Sequence, residues 1–363
     1  MYMVKIFADI PERPRQQGIA IITVLLVIAL ATITVASLAG RQHIDIQREI
    51  NESGLQQARS LANSGERFAA VVLYRDFQEG DRGNTDSLED DWAQTLPPVP
   101  VGEATLTGCV VDMQGKFNLN NLVNAEGQAN APYVEQFTRL LQVLNIDASK
   151  AQAVVDWIDT DVNATLPDGA EDDYYTGLEV PYRTANRGIS SISELQLVRG
   201  FSPSVEEEQA DYELLVPHIT ALPIEFGEVP LNVNTATPEL LSSLSDFMRE
   251  LGADLSRWDS TAYEDYPVCE NIFDLEAEAV EGTLTQERDF TPYESTTLFE
   301  EEADPGGGSG EEIATPGTIT VSSNYFQVRI DIAMEGVTLS QYALMERDDQ
   351  GQIRVLSRSR DAL

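Results

Sequence analysis

Cysteine and histidine are scarce in this sequence. Its 363 residues include two of each. The two histidines, His43 and His218, lie far apart in the chain. Two cysteines are too few for a disulfide-dense scaffold or a cysteine zinc site. The histidines are too few and too distant to predict a histidine metal cluster or a Ser/His/Asp catalytic site.

Basic residues are also few. The chain carries 23 Lys and Arg against 61 Asp and Glu, so its net charge is −38 at pH 7. Nucleic-acid binding needs a basic face that replaces the counterions on phosphates, and this composition argues against it. Adsorption to anionic lipid through surface charge is disfavoured for the same reason. Hydrophobic residues make up 42% of the chain, enough for a folded core rather than a disordered acidic tail.

One long segment near the N-terminus has no charged residue at all. It runs from Ile19 to Gly40, and as a helix it would be about 33 Å long, enough to cross a bilayer core. It can be a cleavable secretory signal ending at Ser37-Leu38-Ala39, a plain membrane anchor, or a prepilin-type signal cut between Gly18 and Ile19. Secretory signals have apolar segments of only about 7–15 residues, which favours the prepilin interpretation.

The residues around this segment indicate its orientation and its continuation. The basic residues Lys5, Arg13 and Arg15 precede it, so the positive-inside rule predicts a cytoplasmic N-terminus, with residues 41–363 on the other side of the membrane. For a prepilin-type signal, this means a single pass through a bacterial inner membrane, with most of the chain in the periplasm. Helical spacing of apolar residues continues beyond the span as far as Val72. We predict a leader at residues 1–18 and one helix that is membrane-spanning over 19–40 and periplasmic over 41–78.

The remaining chain divides by composition and periodicity. Residues 104–120 are typical of a strand pair that turns at Gln114-Gly115, and Phe326, Val328, Ile330 and Ile332 alternate as in a half-buried strand. We predict an α+β fold, in which the long helix covers an antiparallel sheet and a helical domain is inserted. The predicted segments are strands and loops at 79–128, with 80–100 as loop, the inserted helical domain at 129–290, an acidic glycine-rich linker at 291–317, and C-terminal antiparallel strands at 318–363.

Acidic residues concentrate between residues 156 and 173. Seven occur in these 18 positions, against about three expected from the chain average. So many carboxylates in one short segment repel one another unless a cation bridges them, and hard oxygen ligands favour calcium. The candidate ligands are Asp156, Asp159, Asp161, Asp168, Glu171 and Asp172. The alternative is a solvated acidic loop, because an EF-hand match fails at Ala164 and Ala170.

The two cysteines allow one disulfide. Cys109 and Cys269 would lie in the periplasm, where a bond between them would persist, and two buried thiols are the alternative. The segment around Asn232 and Asn234 resembles the start of a helix-hairpin-helix motif, but its acidic surroundings favour a role in the fold over DNA binding. A membrane-anchored periplasmic hydrolase would need a clustered nucleophile and base, which the sequence does not indicate. We therefore expect a protein that is not an enzyme.

The order of these features resembles the type II secretion minor pseudopilin K family. The resemblance covers nearly the whole chain. It is carried by five segments: Gln16-Gln17-Gly18-Ile19-Ala20, Gly115-Lys116-Phe117-Asn118-Leu119-Asn120, Asp156-Trp157-Ile158-Asp159 with Gly169-Ala170-Glu171-Asp172, Ser191-Ile192-Ser193-Glu194-Leu195, and Leu231-Asn232-Val233-Asn234-Thr235-Ala236. The resemblance implies a pseudopilin fold whose sheet is interrupted by a large helical, SAM-like insertion that holds calcium.

The resemblance also implies a function and partners. The protein would lie at the tip of a pseudopilus, in complex with the minor pseudopilins I and J. It would start or cap the filament and support export of folded proteins across the outer membrane. It would also meet prepilin peptidase, the major pseudopilin and the inner-membrane assembly platform. Thr23 stands where most pilins place a glutamate, at mature position five, and the K family shares this difference. A minor pilin of a type IV pilus or DNA-uptake system, the alternative, should have the glutamate.

Overall fold

A computed structural model of the chain describes residues 17–79, 85–94, 96–224, 227–257, 291–307, 310, 312–334 and 336–360. The chain divides into two compact units, residues 1–57 and 58–363. In the first unit, helix α1 (Gln17–Glu79, which continues into the second unit) contains the window Ile21–Leu38. This window has 18 residues and a mean hydropathy of 2.7, so it is long and apolar enough to cross a membrane. Its side chains are not buried by the rest of the described chain. The predicted leader lies largely outside the described residues.

The second unit is built on a five-stranded antiparallel sheet. Its strands are β1 (Leu96–Val101), β2 (Ala104–Asp112), β7 (Tyr325–Met334), β8 (Val337–Arg347) and β9 (Ile353–Ser359), which lie side by side in this order. The predicted C-terminal antiparallel strands are present. The predicted strand pair at 104–120 is wrong, because β2 pairs with β1 and β7 instead.

The part of α1 from Ala58 onward packs on one face of this sheet. Its small residues, such as Ala62 and Gly65, allow a close approach. A Cβ atom at Gly65 would lie 3.0 Å from the Ile330 side chain, so a larger residue there would require Ile330 to shift. The alternating residues of β7 face the helix, and Phe326 and Ile332 are fully buried against it. The α+β fold predicted from the sequence is confirmed.

The chain between β2 and β7 forms the helical insertion. Its described helices are α2 (Ala131–Val143), α3 (Lys150–Ile158), α4 (Asp172–Tyr175), α5 (Glu206–Leu215), α6 (Pro238–Ser242), α7 (Gly252–Leu255) and α8 (Thr296–Ala303). Two short parallel ladders accompany them: β3 (Phe117–Asn118) with β4 (Ile219–Thr220), and β5 (Leu231–Asn232) with β6 (Ile319–Thr320). A single apolar cluster joins these elements, and Phe137, Leu140 and Val154 are fully buried in it.

Helix α8 falls inside the range predicted as an acidic linker. Its first turn is capped by the Ser295 hydroxyl, which accepts a hydrogen bond from the Leu298 N–H at 3.2 Å. Phe299 is fully buried against Tyr293, with ring centroids 5.2 Å apart. The linker prediction is therefore wrong for residues 296–303. One buried aromatic side chain and a serine cap outweigh the acidic composition of this segment.

Buried asparagines connect distant segments of the insertion. Asn118 accepts from the Leu222 N–H at 2.9 Å, and Asn120 donates to the Leu222 carbonyl at 2.9 Å. Asn121 donates to the Val229 carbonyl at 2.7 Å. These side chains replace the backbone partners that the irregular loops lack. The asparagines of the Gly115–Asn120 segment and the adjoining Asn121 therefore hold the insertion together.

A buried carboxylate joins the insertion to the sheet. Asp112, at the end of β2, accepts hydrogen bonds from the Thr235 hydroxyl (2.5 Å), the Ser323 hydroxyl (2.6 Å), the Asn232 amide (3.0 Å) and the Gln114 N–H (2.8 Å). Burial raises the pKa of the Asp112 carboxyl, while these four donors favour its charged form. Asn232 and Thr235 belong to a segment that the sequence likens to a helix-hairpin-helix start. Their contacts are internal to the fold.

Candidate calcium site in the inserted domain

The acidic segment begins at the end of α3 and finishes at the start of α4. The apolar face of α3, including Val154, Val155 and Ile158, is buried in the insertion core. This packing fixes the position of Asp156 in its last turn and of Asp159 at its C-terminal end. Glu171 directly precedes α4, whose Tyr175 is fully buried. The two helices therefore bring both ends of the acidic loop to one place.

Three of the predicted ligands converge there. Asp159, Asp161 and Glu171 each offer a carboxylate oxygen, and these three atoms lie within 4.8 Å of one another. Asp159 and Glu171 are buried, whereas Asp161 is exposed. The group is therefore enclosed by protein on one side and open to solvent on the other. Carboxylate oxygens at this spacing form the kind of donor set that calcium prefers.

Two buried oxygens in this group lack a hydrogen-bond donor. Asp159 Oδ1 and Glu171 Oε1 are both inaccessible and, within the described part of the chain, accept no hydrogen bond. The other oxygen of Glu171 accepts from the Thr184 hydroxyl at 3.0 Å. A buried carboxylate oxygen without a partner is costly unless a cation binds it. The residues present therefore fit a calcium ion.

The same crowding shifts the acidity of both groups. Burial, together with the charges of Asp161 and Asp156, raises the pKa of Asp159 to about 6. Burial raises the pKa of Glu171 to about 7, and Asp156 and Asp159 add to the increase, while its hydrogen bond with Thr184 opposes it. These shifts arise because several negative charges share a low-dielectric site. A divalent cation would remove that repulsion.

Asp156 binds the backbone of the acidic loop. It is fully buried, and its carboxylate accepts a hydrogen bond from the Thr165 N–H at 3.0 Å. Burial raises its pKa. Gly169 passes so close that a Cβ atom there would lie 2.2 Å from Asp156 Oδ2 and 2.4 Å from the Thr165 carbonyl oxygen. Only glycine fits at this crossing, so Asp156 and Gly169 together fix the course of the loop.

Asp168 and Asp172 lie outside the three-carboxylate group. Asp168 faces Arg199, with 3.7 Å between its Oδ1 and the nearest guanidinium nitrogen. Asp172 faces Arg183 at 3.2 Å and accepts from the Thr184 hydroxyl at 3.1 Å. Both carboxylates therefore have basic or polar partners of their own. Their roles as ligands stay predictions.

Asn186 is a contributor that the sequence did not single out. Its amide donates to the Asp161 carbonyl oxygen at 3.0 Å, and its backbone N–H donates to the Trp157 carbonyl at 3.1 Å. Its own Oδ1 is buried and accepts no hydrogen bond within the described residues. It also has a positive φ of 46°, a conformation in which asparagine is enriched. A count of acidic residues gives no signal for Asn186, because its side chain is neutral.

A second group of carboxylates has a different character. Asp76, Asp86 and Asp90 lie together beside the end of α1. The buried Arg347 is paired with Asp86 and lies 3.8 Å from Asp76. Burial, Asp90 and Asp86 raise the pKa of Asp76 to about 7, and Arg347 opposes them. An arginine already supplies the positive charge here, so we assign no cation to this group.

The processing and disulfide predictions concern other parts of the chain. Gly18 and Ile19 lie in the first turn of α1. Cleavage between them stays a prediction. Cys109 lies on β2 and is almost fully buried. Its predicted partner Cys269 is outside the described residues, so the bond between them also stays a prediction.

Comparison with known proteins identifies the family. The family description "Type II secretion system (T2SS), protein K" matches residues 115–224, which include the whole acidic loop. Type II secretion system protein K of Pseudomonas aeruginosa is 33% identical over 355 residues, covering 95% of this chain and 93% of the relative. The Aeromonas hydrophila protein K is 35% identical over 241 residues, covering 63% of this chain and 70% of the relative.

A solved structure shares the fold. A chain of the GspK-GspI-GspJ complex from the type 2 secretion system of enterotoxigenic Escherichia coli superposes with a TM-score of 0.64. It is 22% identical, and the match covers 87% of this chain and 100% of that chain. Together with the long match to the Pseudomonas protein, this places the chain among known secretion components. The chain belongs to the type II secretion system protein K family, the minor pseudopilins K of type II secretion.

Proposed function

We propose that this protein is the tip subunit of the type II secretion pseudopilus and that it initiates or caps the filament. The observation that supports this most directly is the likeness to protein K of Pseudomonas aeruginosa over 95% of the chain. In this proposal α1 packs among the helices of other subunits, as a long apolar helix with a polar continuation allows. The insertion between β2 and β7 adds bulk that blocks further subunits beyond the tip.

Thr23 supports the tip position. A glutamate in the membrane is expensive unless it has a partner. In most pilins that partner is the N-terminal amine of the neighbouring subunit. A subunit with nothing ahead of it has no amine to neutralise, so an uncharged side chain such as that of Thr23 is the stable choice. A minor pilin inside a filament would keep the glutamate.

The N-terminus is proposed to face the cytoplasm until prepilin peptidase cuts between Gly18 and Ile19. The basic residues of the leader lie before the span, which favours this orientation. The peptidase acts on the cytoplasmic side, so the mature chain would begin with the apolar part of α1. The sheet and the insertion would then lie in the periplasm, attached to the inner membrane by a single span.

The proposed partners follow from the related complex. The solved structure that shares this fold is a complex of GspK with GspI and GspJ. We propose the equivalent assembly for this chain, with the major pseudopilin and the inner-membrane assembly platform joining during filament growth. Its role is structural, and we propose no catalytic activity for it.

Calcium is proposed to stabilise the insertion. Asp159, Asp161 and Glu171 would hold the ion. Asn186 donates to the Asp161 carbonyl oxygen, and its own buried Oδ1 has no hydrogen-bond donor within the described residues, so we propose it as a neutral oxygen ligand. When bound, the ion supplies positive charge that offsets carboxylate repulsion. The chain's own residues position the loop: Asp156 holds its backbone, and the packing of α3 fixes Asp159.

Co-expression tests the proposed assembly. The tagged full chain is produced with the minor pseudopilins I and J of the same bacterium and purified in detergent. The proposal predicts that both partners co-elute with it in a defined complex, and that the major pseudopilin alone does not replace them. Recovery of the chain without I and J, under conditions in which I and J bind each other, would contradict the proposal.

A further inference from the structure

The second unit has a basic pocket that the proposed function leaves unexplained. It lies between α1 and the adjoining ends of β8 and β9, and its volume is about 310 Å³. Three arginines line it: Arg59 from α1, Arg358 near the end of β9, and Arg360 just after that strand. Acidic residues outnumber basic ones by 38 in this chain, so three arginines around one small pocket is an unexpected arrangement.

One of these arginines is paired with a carboxylate. Glu66 binds Arg358 through two hydrogen bonds of 2.7 Å each, a bidentate pair. Gln341 also donates to Glu66 at 3.1 Å. The single negative charge of Glu66 is therefore already matched by Arg358. The guanidinium groups of Arg59 and Arg360 add two further positive charges to the same pocket.

Arg59 and Arg360 have no counter-ion within the described residues. Both are exposed, and neither forms a salt bridge or a side-chain hydrogen bond there. The other arginine of β9 differs: Arg354 donates to Glu346 at 2.9 Å. In a chain rich in carboxylates, two neighbouring arginines without a carboxylate leave a local positive charge that an external anion can neutralise.

The surroundings of the pocket suit a segment of polypeptide. The lining residues Asn63, Ser340 and Ser359 carry neutral polar groups beside the arginines. β9 is the outermost strand at this side of the described sheet, so one of its backbone edges is unpaired. An extended chain laid along such an edge gains main-chain hydrogen bonds, and its acidic side chains can reach arginines.

We propose that this pocket binds a carboxylate-bearing segment of a neighbouring minor pseudopilin. The inference rests on the proposed assembly with I and J, and it assigns a surface of this chain to that contact. Arg59 and Arg360 form the contact through charge-assisted hydrogen bonds to acidic side chains of the partner. Arg358 stays bound to Glu66 and holds the end of β9 against α1.

The test compares two double Arg→Glu variants that change the net charge of the chain by the same amount. The full chain in detergent is titrated with the purified I–J pair, as wild type and as the double variant Arg59→Glu/Arg360→Glu. The matched control is Arg187→Glu/Arg249→Glu, which reverses two arginines of the insertion that have carboxylate partners, Glu194 and Asp246. A variant carrying Arg59→Gln/Arg360→Gln removes the charge without reversing it. Melting temperatures verify that every variant is folded.

The inference predicts at least about a tenfold weaker affinity for the Arg59/Arg360 reversal, a smaller loss for the glutamine variant, and little change for the control. It also predicts that salt weakens the wild-type complex more than that of the reversal variant. If the wild type binds the I–J pair and the reversal variant binds it as tightly as the control does, this pocket is not the contact surface. The proposed assembly would still stand in that case. Absence of wild-type binding would instead overturn the proposed assembly, and the inference with it.

Discussion

Replacing Glu171 with glutamine should abolish the stabilisation of this protein by calcium. Glu171 Oε1 is buried and has no hydrogen-bond donor within the described residues. One carboxylate oxygen of Glu171 lies within 4.8 Å of carboxylate oxygens of Asp159 and Asp161. The substitution keeps the size and shape of the side chain. It removes one negative charge and replaces one carboxylate oxygen with an NH₂ group, which is not a ligand for a cation.

The size of the effect follows from linkage. An ion present at 100 times its dissociation constant stabilises the folded state by about 2.7 kcal/mol. For a domain of this size class, each kcal/mol shifts the melting temperature by about 2–4 °C. Wild type should therefore melt about 5–10 °C higher in calcium than in chelator. Glu171→Gln should lose most of that difference.

Without calcium, the same substitution should have the opposite effect on the stability of the folded protein. Burial and the neighbouring carboxylates raise the pKa of Glu171 to about 7, above its ordinary value in the unfolded chain. Without calcium the charged form is therefore disfavoured in the folded state, and stability falls as the pH rises through about 7. At pH 8 the neutral glutamine avoids this repulsion. The variant should be at least as stable as wild type in chelator, and less stable in calcium.

Thermal unfolding of the full chain in detergent, with calcium or chelator at pH 8, measures both signs. The matched control is Asp173→Asn, because Asp173 is an exposed acid two residues away and lies outside the converging group. The control should keep the full calcium response. A wild-type melting temperature that calcium does not change would refute the calcium site. An equal loss in Asp173→Asn and Glu171→Gln would refute the assignment to these ligands.

Three further predictions concern loop geometry, the buried junction and pH. Gly169→Ala should reduce the stabilisation by calcium, because the new Cβ would lie 2.2 Å from Asp156 Oδ2. The control Gly177→Ala, whose Cβ would have its nearest contact at 3.3 Å, should keep it. Melting temperatures measured over a calcium titration compare the two variants. Asp112→Ala should destabilise the protein by about 3 kcal/mol or more, because it removes the buried acceptor of four hydrogen bonds. Denaturant unfolding measures the loss. The pKa of Asp76 is raised to about 7, so ionisation of this carboxyl lowers the stability of the folded state as the pH rises through 7. Asp76→Asn should make the melting temperature less dependent on pH. Melting curves from pH 5.5 to 8.5 measure the difference.

The sequence predicts those elements whose signal is local. The absence of charge over residues 19–40 and the continued helical spacing predict α1, because a helix needs only its own sequence to make its hydrogen bonds. Alternation at Phe326 and Val328 predicts β7, because one face of that strand is buried against α1. These patterns also fix the α+β class of the fold.

Elements whose stability depends on distant residues were missed. The prolines of β1 indicate a loop, yet Pro97, Pro98 and Pro100 lie in an edge strand, where their missing N–H groups need no partner. The expected turn at Gln114-Gly115 is instead a short 3₁₀ helix that ends at Gly115, and the next strand pairs with residues about one hundred positions later. No local pattern encodes such long-range pairing.

In the candidate site too, the sequence predicts the local feature but not the contacts between distant residues. Counting acids locates the loop, because excess charge is a property of composition. It does not identify which carboxylates meet. That depends on α4, which brings Glu171 back to Asp159. Asp168 lies outside this group and faces Arg199. Asn186 joins the site through a backbone conformation and a neutral side chain, for which composition gives no signal.

The identity of the mature N-terminus tests the central claim, that this chain is a pseudopilin processed by prepilin peptidase. Intact-mass spectrometry is performed on the full chain from cells with and without the peptidase. We predict a mature chain that begins at Ile19 when the peptidase is present, and an uncleaved chain beginning at Met1 when it is absent. A chain that begins at Gly40 or Met1 in cells that contain the peptidase would contradict the account.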